Sequence, residues 1–533
     1  MNSFCRYMGL VVAICVLCLV SGLAQETVFS GLKSDLKRAD RHFQNQSFKN
    51  ALELYIQAEK KGKGDQEIYL KVARTYHQLN EPNQAVSWFE RYLASNQTLP
   101  TNDVYSYAES LTSQGAYQKA IKWYKKYISH NPENQYVIEK IWRLKNIEYL
   151  YTDSTYYEIK EVAFNTEYAE YGPAYMDSGL IFVSNRKVKG GIINIDPITN
   201  QPFHSLYFVK LFFDSVRNKY SFRKPRRFLR GQNKRWHQGA AATSGSKLIF
   251  TRNTMSRGDT ESRLQLYWVE NLAGTWKGEK PFEYNSADYS VSHPSLSKDG
   301  ETLYFVSDMP GGLGGNDLYE CTWTASGWSQ PQNLGKTINT TGDETAPFIH
   351  NNQTLYFASN GHGGFGGLDV FKVVITDDHP AEVQNLGFPV NTPSDDFGLI
   401  LNEEGSHGFL ASNRENGGFN DDIFEVIVDL QSYPLIISGI VRFNNPDWLE
   451  LNRLDILPNA HLKLVDNLKD VTVYETYTNH YGAFSLKIPY SSKYRLQVSQ
   501  ELVGQAMVSL EIPKNRKLHT AHEIVVVKEK FKK

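Results

Sequence analysis

Glycine-rich loops that end in an aspartate are the residues in this chain whose spacing first suggests chemistry. The sequence GGLGGNDLYE occupies residues 311–320, and the related GGFGGLDVFK occupies residues 363–372. A phosphate-binding loop needs Lys-Ser/Thr after the glycines and then a helix. Here Asp317 comes before a strand-like segment, and its carboxylate would repel a phosphate. The two copies lie 52 residues apart, which differs from the nine-residue period of calcium-binding glycine repeats.

We therefore predict that these loops are structural hairpins. Glycine permits the positive φ angles of tight turns, and Asp317 and Asp369 can accept hydrogen bonds from nearby backbone N–H groups. Calcium binding at the acidic loop tips is the alternative. The sequence predicts no metal site and no cofactor.

The motifs of common hydrolases are missing from the sequence, which contains neither GxSxG nor HExxH. Cys321 is the only cysteine beyond residue 18, so a processed chain can form no internal disulfide and no cysteine-based metal site. Two acidic pairs, Asp395-Asp396 and Asp421-Asp422, could serve a glycosidase only if the fold brought carboxylates together. We predict that the protein is not an enzyme, with a hydrolase as the alternative.

One strongly basic segment stands out from a chain whose net charge is −1. Residues 217–237, RNKYSFRKPRRFLRGQNKRWH, contain nine Lys or Arg residues and no acid, with aromatic residues between them. We predict that this segment binds an anionic partner surface rather than nucleic acid. The alternative is a solvated face paired with distant acids. The candidate partner-binding residues are Arg223, Lys224, Arg226, Arg227 and Arg230.

The N-terminus predicts export. Arg6 precedes an apolar run at 9–20, which is too short to span a bilayer, and small residues follow at Gly22 and Ala24. We predict that residues 1–24 are a signal peptide cleaved after Ala24, and that the protein lies in the periplasm or at the periphery of the outer membrane. A membrane anchor is the alternative.

Residues 31–150 contain a helical repeat. Three columns recur at spacings of 34 and 35 residues, and they are Ala39, Ala73 and Ala108; Ala51, Ala85 and Ala120; and Tyr55, Phe89 and Tyr124. Small residues where helices cross, with an aromatic residue one turn later, resemble the tetratricopeptide repeat. The resemblance implies a solenoid with a surface for a partner protein, ending in a helix at about 134–150.

Residues 155–430 repeat a longer unit of four predicted strands. HPSLSKDGETLYFVSD (293–308) matches APFIHNNQTLYFASN (346–360), and weaker copies surround them. This pattern resembles the WD40-like propeller repeats of TolB-type proteins and predicts five blades, or six if an irregular blade lies within 187–236. The segment YYEIKEVAFNTEY (156–168) has the pattern of a fourth strand, so we expect it to complete the last blade and close the ring.

The C-terminal residues 435–530 predict a small β-sandwich. Alternating apolar residues and the segment YTNHYGAFSLKIPYSSKYRLQVS (477–499) resemble the carboxypeptidase-regulatory-like domain, a name that implies no peptidase activity. The fold class is thus multidomain, with a helical solenoid followed by all-β domains.

The order of these domains resembles the OmpA-family cell-envelope proteins of Bacteroidetes, including the PorE-type component of the type IX secretion system. The resemblance implies a scaffold that binds other envelope proteins in secretion or gliding, with peripheral membrane association. No OmpA-like domain follows the sandwich, so we do not expect peptidoglycan binding. A periplasmic or surface protein that binds glycan or peptide is the alternative, and a propeller-type hydrolase is a further one.

Overall fold

The computed structural model describes most of the chain from Asp35 onward. The signal-peptide prediction and Arg230 fall outside the described residues. The described ranges are 35–61, 66–151, 154, 156–187, 195–196, 201–214, 219–229, 236–254, 262–351, 353–375, 383–415, 420–429, 435–444, 454–467, 470–488, 493–500, 504–511, 519–521 and 524–526. No helix within these ranges has the length and apolar character needed to cross a membrane. The chain divides into one unit that contains most residues up to Glu133 and a second that contains nearly all residues from Asn134 onward.

Six helices are described in the first unit, and consecutive helices pack against each other. They are α1 (Asp35–Gln44), α2 (Phe48–Lys60), α3 (Glu67–Gln78), α4 (Pro82–Ala94), α5 (Thr101–Ser113) and α6 (Tyr117–Ile128). All nine residues of the three repeat columns are buried, each at 2% exposure or less. The alanines allow each pair of helices to approach closely. The structure therefore confirms the predicted N-terminal helical region.

The second unit begins with helix α7 (Gln135–Lys145) and a 3-10 turn at Ile147–Tyr151. The Asn134 side chain caps the helix by accepting a hydrogen bond of 3.1 Å from the Val137 N–H. Five small antiparallel sheets and a two-sheet C-terminal domain follow.

The five sheets are the blades of the predicted propeller. Blade 1 contains β2 (Glu170–Met176), β3 (Gly179–Ser184), β6 (Ser205–Asp214), β7 (Lys219–Phe222) and β8 (Arg226–Arg227), and its insertion holds the short pair β4 (Ile195–Asp196) and β5 (Gln201–Pro202). Blade 2 contains β9 (Gln238–Ser244), β10 (Lys247–Thr254), β11 (Arg263–Leu272) and β12 (Thr275–Pro281). Blade 3 contains β13 (Val291–Leu296), β14 (Thr302–Ser307), β15 (Asp317–Thr324), β16 (Gly327–Trp328) and β17 (Gln332–Asn333).

Blade 4 contains β18 (Glu344–His350), β19 (Thr354–Ser359), β20 (Asp369–Val374) and β21 (Gln384–Asn385). Blade 5 contains β22 (Asp396–Leu401), β23 (His407–Ser412) and β24 (Asp422–Val428), and its fourth strand is β1 (Tyr157–Glu161) from the start of the domain. The first strand of each blade contacts that of the next blade, and β22 contacts β2, so the ring is closed. The described part of 187–236 adds strands to blade 1, and the described residues form five blades rather than six.

Strand β1 closes the ring as the sequence predicts. It runs antiparallel to β24, with Tyr157 opposite Val428 and Glu161 opposite Phe424. Asn165 then binds the start of β24: its side chain accepts a bond of 3.2 Å from the Ile423 N–H and donates one of 2.9 Å to the Ile423 carbonyl. Asn285, Asn339 and Asn391 bind strands in the same two-bond way at three other junctions.

The C-terminal domain is a sandwich of two sheets. One sheet contains β25 (Leu435–Asn444), β26 (Leu454–Ile456), β29 (Ala483–Ile488), β32 (His519–Ala521) and β33 (Ile524–Val526). The other contains β27 (His461–Asp466), β28 (Val471–Tyr477), β30 (Lys493–Gln500) and β31 (Gly504–Glu511). Buried apolar side chains from both sheets, among them Ile437, Phe484 and Leu496, form its core.

Candidate functional site

The glycine loops of blades 3 and 4 bind the neighbouring blade. Gly315 donates a backbone hydrogen bond of 2.9 Å to the carbonyl of Gly342, which precedes the first strand of blade 4. A Cβ at Gly314 would collide with that same carbonyl, and a Cβ at Gly366 would collide with the Pro393 carbonyl before blade 5. These glycines are therefore required because the next blade passes directly against the loop.

The aspartates of these loops hold the turn, as predicted. Asp317 is 1% exposed and accepts hydrogen bonds from the backbone N–H groups of Leu313 (2.5 Å) and Gly314 (3.1 Å). Asp369 accepts the equivalent bonds from Phe365 (3.0 Å) and Gly366 (3.3 Å). Within the described residues, no cluster of three or more His, Cys, Asp or Glu side chains could hold a metal ion.

Asp369 carries a pH dependence that can be tested. The pKa of Asp369 is raised to about 8, chiefly by burial and also by the nearby Asp396, against the backbone bonds and Lys140, which lower it. The folded chain thus holds a proton that the unfolded chain has lost above about pH 4. The contribution of Asp369 to the free energy of unfolding is therefore at its full value below the pKa of the unfolded chain. It falls as the pH rises toward about 8.

We expect Asp369→Asn to reduce this fall by more than about 1.4 kcal/mol, the value of one pKa unit. Part of the fall should remain, because burial also raises the pKa of Asp421 to about 7. Urea unfolding from pH 5 to pH 9 measures it. The matched variant Asp317→Asn, on the equivalent loop of blade 3, should retain the fall. A parent chain with constant stability across this range would contradict the prediction.

Buried carboxylates also begin the innermost strands of three blades. Glu170, Glu344 and Asp396 are all fully buried and occupy the first position of β2, β18 and β22. Each accepts hydrogen bonds from a preceding threonine; Glu344, for example, binds the Thr340 N–H at 2.8 Å and its hydroxyl at 2.7 Å. The carboxylates of these residues accept hydrogen bonds from the segments that connect the blades, so their role is structural.

The innermost strands surround a central cavity of about 140 Å³. Its walls are mainly small or apolar residues such as Ala241, Pro347 and Leu399. Among the described residues that line it, none is an Asp or Glu. The paired carboxylates that glycoside hydrolysis requires are therefore not found on these walls.

His293 is the distinctive polar residue of this cavity. It has a left-handed backbone, with φ of 48°, where blades 1 and 5 have glycine. Its Nδ1 lies 2.9 Å from the Ser292 hydroxyl. Burial lowers the pKa of His293 to about 4, so the imidazole is neutral at pH 7. The cavity therefore offers one neutral imidazole in apolar surroundings.

The predicted basic residues lie on the outer edge of blade 1, on and beside β7 and β8. Arg223, Lys224 and Arg226 are exposed, as is Lys210 on the neighbouring strand β6. Arg223 lies 5.4 Å from the centre of the Phe212 ring, and Lys210 lies 5.5 Å from it. We call this surface the basic edge, and it consists of Lys210, Phe212, Phe213, Arg223, Lys224 and Arg226.

The apolar part of the basic edge was missed by sequence reasoning. Phe212 is 40% exposed and Phe213 is 47% exposed, although consecutive strand residues normally point to opposite faces. By contrast, Tyr220 and Phe222 of the basic segment pack partly into the core between blades 1 and 5. Exposed aromatic rings beside cations form a surface suited to protein contact.

The cations of the basic edge are not neutralised locally. In the described part of the chain, no acid forms an ion pair with the four cations of the basic edge, Lys210, Arg223, Lys224 and Arg226. Arg227 forms no such ion pair either. Arg227 differs from the others because its Nη2 donates a bond of 2.9 Å to the Ser205 hydroxyl, and it lies opposite Tyr207 in the sheet. Its role includes holding β8 in place.

Comparison with known proteins adds little beyond these observations. The chain matches no protein-family model and no curated protein sequence. Among solved structures it is similar to a Mycobacterium tuberculosis puromycin-hydrolyzing peptidase, with 11% identity and a TM-score of 0.29 over 65% of this chain and 52% of that one. It is also similar to an exo-beta-1,3-galactanase from Clostridium thermocellum, with 12% identity and a TM-score of 0.32 over 66% and 85% of the two chains.

A third similar structure is a GH43 endo-arabinanase from Bacillus licheniformis, with 11% identity and a TM-score of 0.32 over 50% of this chain and 97% of that one. This chain spans about half the length of the peptidase. At these TM-scores we base no conclusion on the likeness, and the propeller assignment rests on the strand pairings.

Proposed function

We propose that the protein is a non-enzymatic scaffold of the bacterial cell envelope that binds an acidic envelope protein through the basic edge. The observation that supports this proposal is a group of four exposed cations without a described acidic partner, placed beside two exposed phenylalanines. Complementary charge would speed association and favour partners with an acidic surface.

The domain order supports the cellular setting. A signal peptide, helical repeats, a propeller and a small sandwich resemble the PorE-type envelope proteins, so we propose a role in type IX secretion or gliding. The protein would act in the periplasm or at the outer-membrane periphery. A solenoid in the first unit would offer a further surface for protein partners.

The alternatives receive less support. Pockets for drug-sized ligands usually measure about 300–1,000 Å³, whereas the central cavity measures about 140 Å³. A glycan or peptide would therefore need another surface or an opened cavity. A hydrolase would need reactive groups, and the described cavity walls offer one neutral imidazole and no carboxylate.

Neutralising the basic edge tests the proposal. We expect joint substitution of the four exposed cations of the basic edge, Lys210, Arg223, Lys224 and Arg226, by Gln to reduce recovery of envelope partners about tenfold. Folding should persist, since exposed charges contribute little to stability. Recovery from envelope extract, measured at increasing salt, should decline for the parent chain because salt screens the attraction.

A charge-matched control separates a local site from overall charge. Four exposed lysines on blades 2 and 3, changed together to Gln, should leave recovery unchanged: Lys277, Lys280, Lys298 and Lys336. Equal losses in both variants, or no loss in either, would refute a specific site. Binding to anionic vesicles instead of proteins would identify the membrane as the partner.

A further inference from the structure

The glycine loop of blade 4 is a binding site that the chain's own helix occupies. Tyr136 on α7 donates a hydrogen bond of 2.9 Å to the carbonyl of Asn360, and Arg143 donates one of 3.0 Å to the carbonyl of Gly361. Tyr151, just after the helix, lies edge-on to Phe365 with 5.0 Å between ring centres. Phe365, at the tip of the loop, is completely buried.

The helix residues that make this contact share one face. Tyr136, Lys140 and Arg143 lie four and three residues apart, a spacing that places side chains on one side of a helix. Lys140 is only 6% exposed. The blade 4 loop thus receives the helix through hydrogen bonds from Tyr136 and Arg143. The buried Lys140 lies on the same face, and its charge acts on Asp369 of the loop.

Blade 3 carries the same loop, and no helix in the described part of the chain covers it. Its residues 307–317 correspond one for one to residues 359–369 of blade 4, and the aspartates at the two loop ends bind the same backbone positions. Leu313, the counterpart of the buried Phe365, is 47% exposed. Gly311 to Gly315 are all exposed. We call residues 308–317 the blade 3 loop.

The groups that receive α7 on blade 4 remain available on blade 3. The carbonyls of Asp308 and Met309 correspond to those of Asn360 and Gly361, and they accept no hydrogen bond from the described residues. Asp308 is exposed and replaces the neutral Asn360, so the blade 3 loop is the more acidic of the two. A cationic helix is therefore favoured there even more than on blade 4.

We propose that the blade 3 loop docks a helix of a separate partner protein, and that this helix presents a tyrosine followed by basic residues four and seven positions later. The site is independent of the basic edge, because it lies on another blade and has the opposite charge. A second copy's α7 is a poor occupant, since in each copy that helix already covers its own blade 4.

A peptide of this chain's residues 134–151 is the probe, because it contains the helix face described above. We expect the labelled peptide to bind the full chain saturably in fluorescence anisotropy. Leu313→Glu should weaken binding about tenfold, or about 1.4 kcal/mol, and Leu313→Phe should strengthen it severalfold by restoring the aromatic residue of blade 4. The peptide variant Arg143→Ala should bind more weakly than the parent peptide.

Leu272→Glu is the matched control, because Leu272 is 57% exposed on blade 2, away from the loop. It should leave peptide binding unchanged. Absence of saturable binding, or equal binding to the Leu313→Glu and parent chains, overturns the proposal. Self-association of the chain that Leu313→Glu abolishes overturns it as well, since the occupant would then be a second copy.

Discussion

A chain that begins at Thr166, and therefore lacks β1, is expected to unfold at a much lower temperature than a chain that retains β1, and to associate into oligomers. All seven residues of β24 are buried, and β1 is its outer neighbour. Removing β1 would leave one side of β24 without hydrogen-bond partners, and such an edge pairs readily with other chains. Val162 and Phe164, which are 3% and 6% exposed, would be lost with it.

The expected loss in the free energy of unfolding is roughly 5 kcal/mol, because full burial of each of these two side chains is worth about 1.5–3 kcal/mol before the strand pairing is counted. The matched control begins at Tyr156 and differs only by the closing segment. It should unfold at the higher temperature and elute as a smaller species. Thermal unfolding and light scattering after size exclusion measure both properties, and identical behaviour of the two chains would contradict the role of β1.

The propeller could be predicted because its junctions repeat in the sequence. Asn165 lies eight residues before Pro173, as Asn339 does before Pro347, and that match placed β1 before blade 1 and in blade 5. In the structure the same asparagines bind the neighbouring strands through their side-chain amides. Because the same hydrogen bonds recur at these junctions, the spacing between the asparagine and the proline can be recognised in the sequence alone.

The position of α7 could not be predicted in the same way. Its apolar spacing shows that one face is buried, but periodicity does not tell which neighbour covers that face. The sequence placed residues 134–150 at the end of the solenoid, and the structure binds Tyr136 and Arg143 to blade 4. The exposure of both Phe212 and Phe213 could not be predicted from the sequence either, because strand alternation predicts that one of two consecutive residues points inward.

A short repeated motif marks buried ion pairs in two blades. Ser-Asn-Arg ends the second strand region of blade 1 at residues 184–186 and of blade 5 at residues 412–414. In the structure Arg186 lies 3.0 Å from Glu170. An arginine repeated at this position, in blades that begin with an acid, indicates a structural pair rather than a surface charge.

Arg414→Ala should destabilise the chain far more than the loss of an exposed charge. The Arg414 Nη2 lies 2.5 Å from Asp396, whose side chain is fully buried, and the guanidinium also donates to the carbonyls of Pro389 (2.9 Å) and Val390 (2.7 Å). Burial raises the pKa of Asp396, and Arg414 opposes that rise. Without Arg414, the carboxylate remains buried with no cation beside it.

We expect Arg414→Ala to lower the free energy of unfolding by roughly 3–5 kcal/mol, as when one partner of a buried pair is removed. The deficit should shrink as the pH falls, because protonation removes the unpaired charge and the folded state then gains stability. The matched control is Lys298→Ala, since Lys298 pairs with Glu403 at 2.9 Å but the two side chains are 64% and 72% exposed. That exposed pair should contribute less than about 1 kcal/mol. Urea unfolding at pH 5 and pH 8 compares the two variants, and equal losses would mean that the buried pair does not hold blade 5 in place.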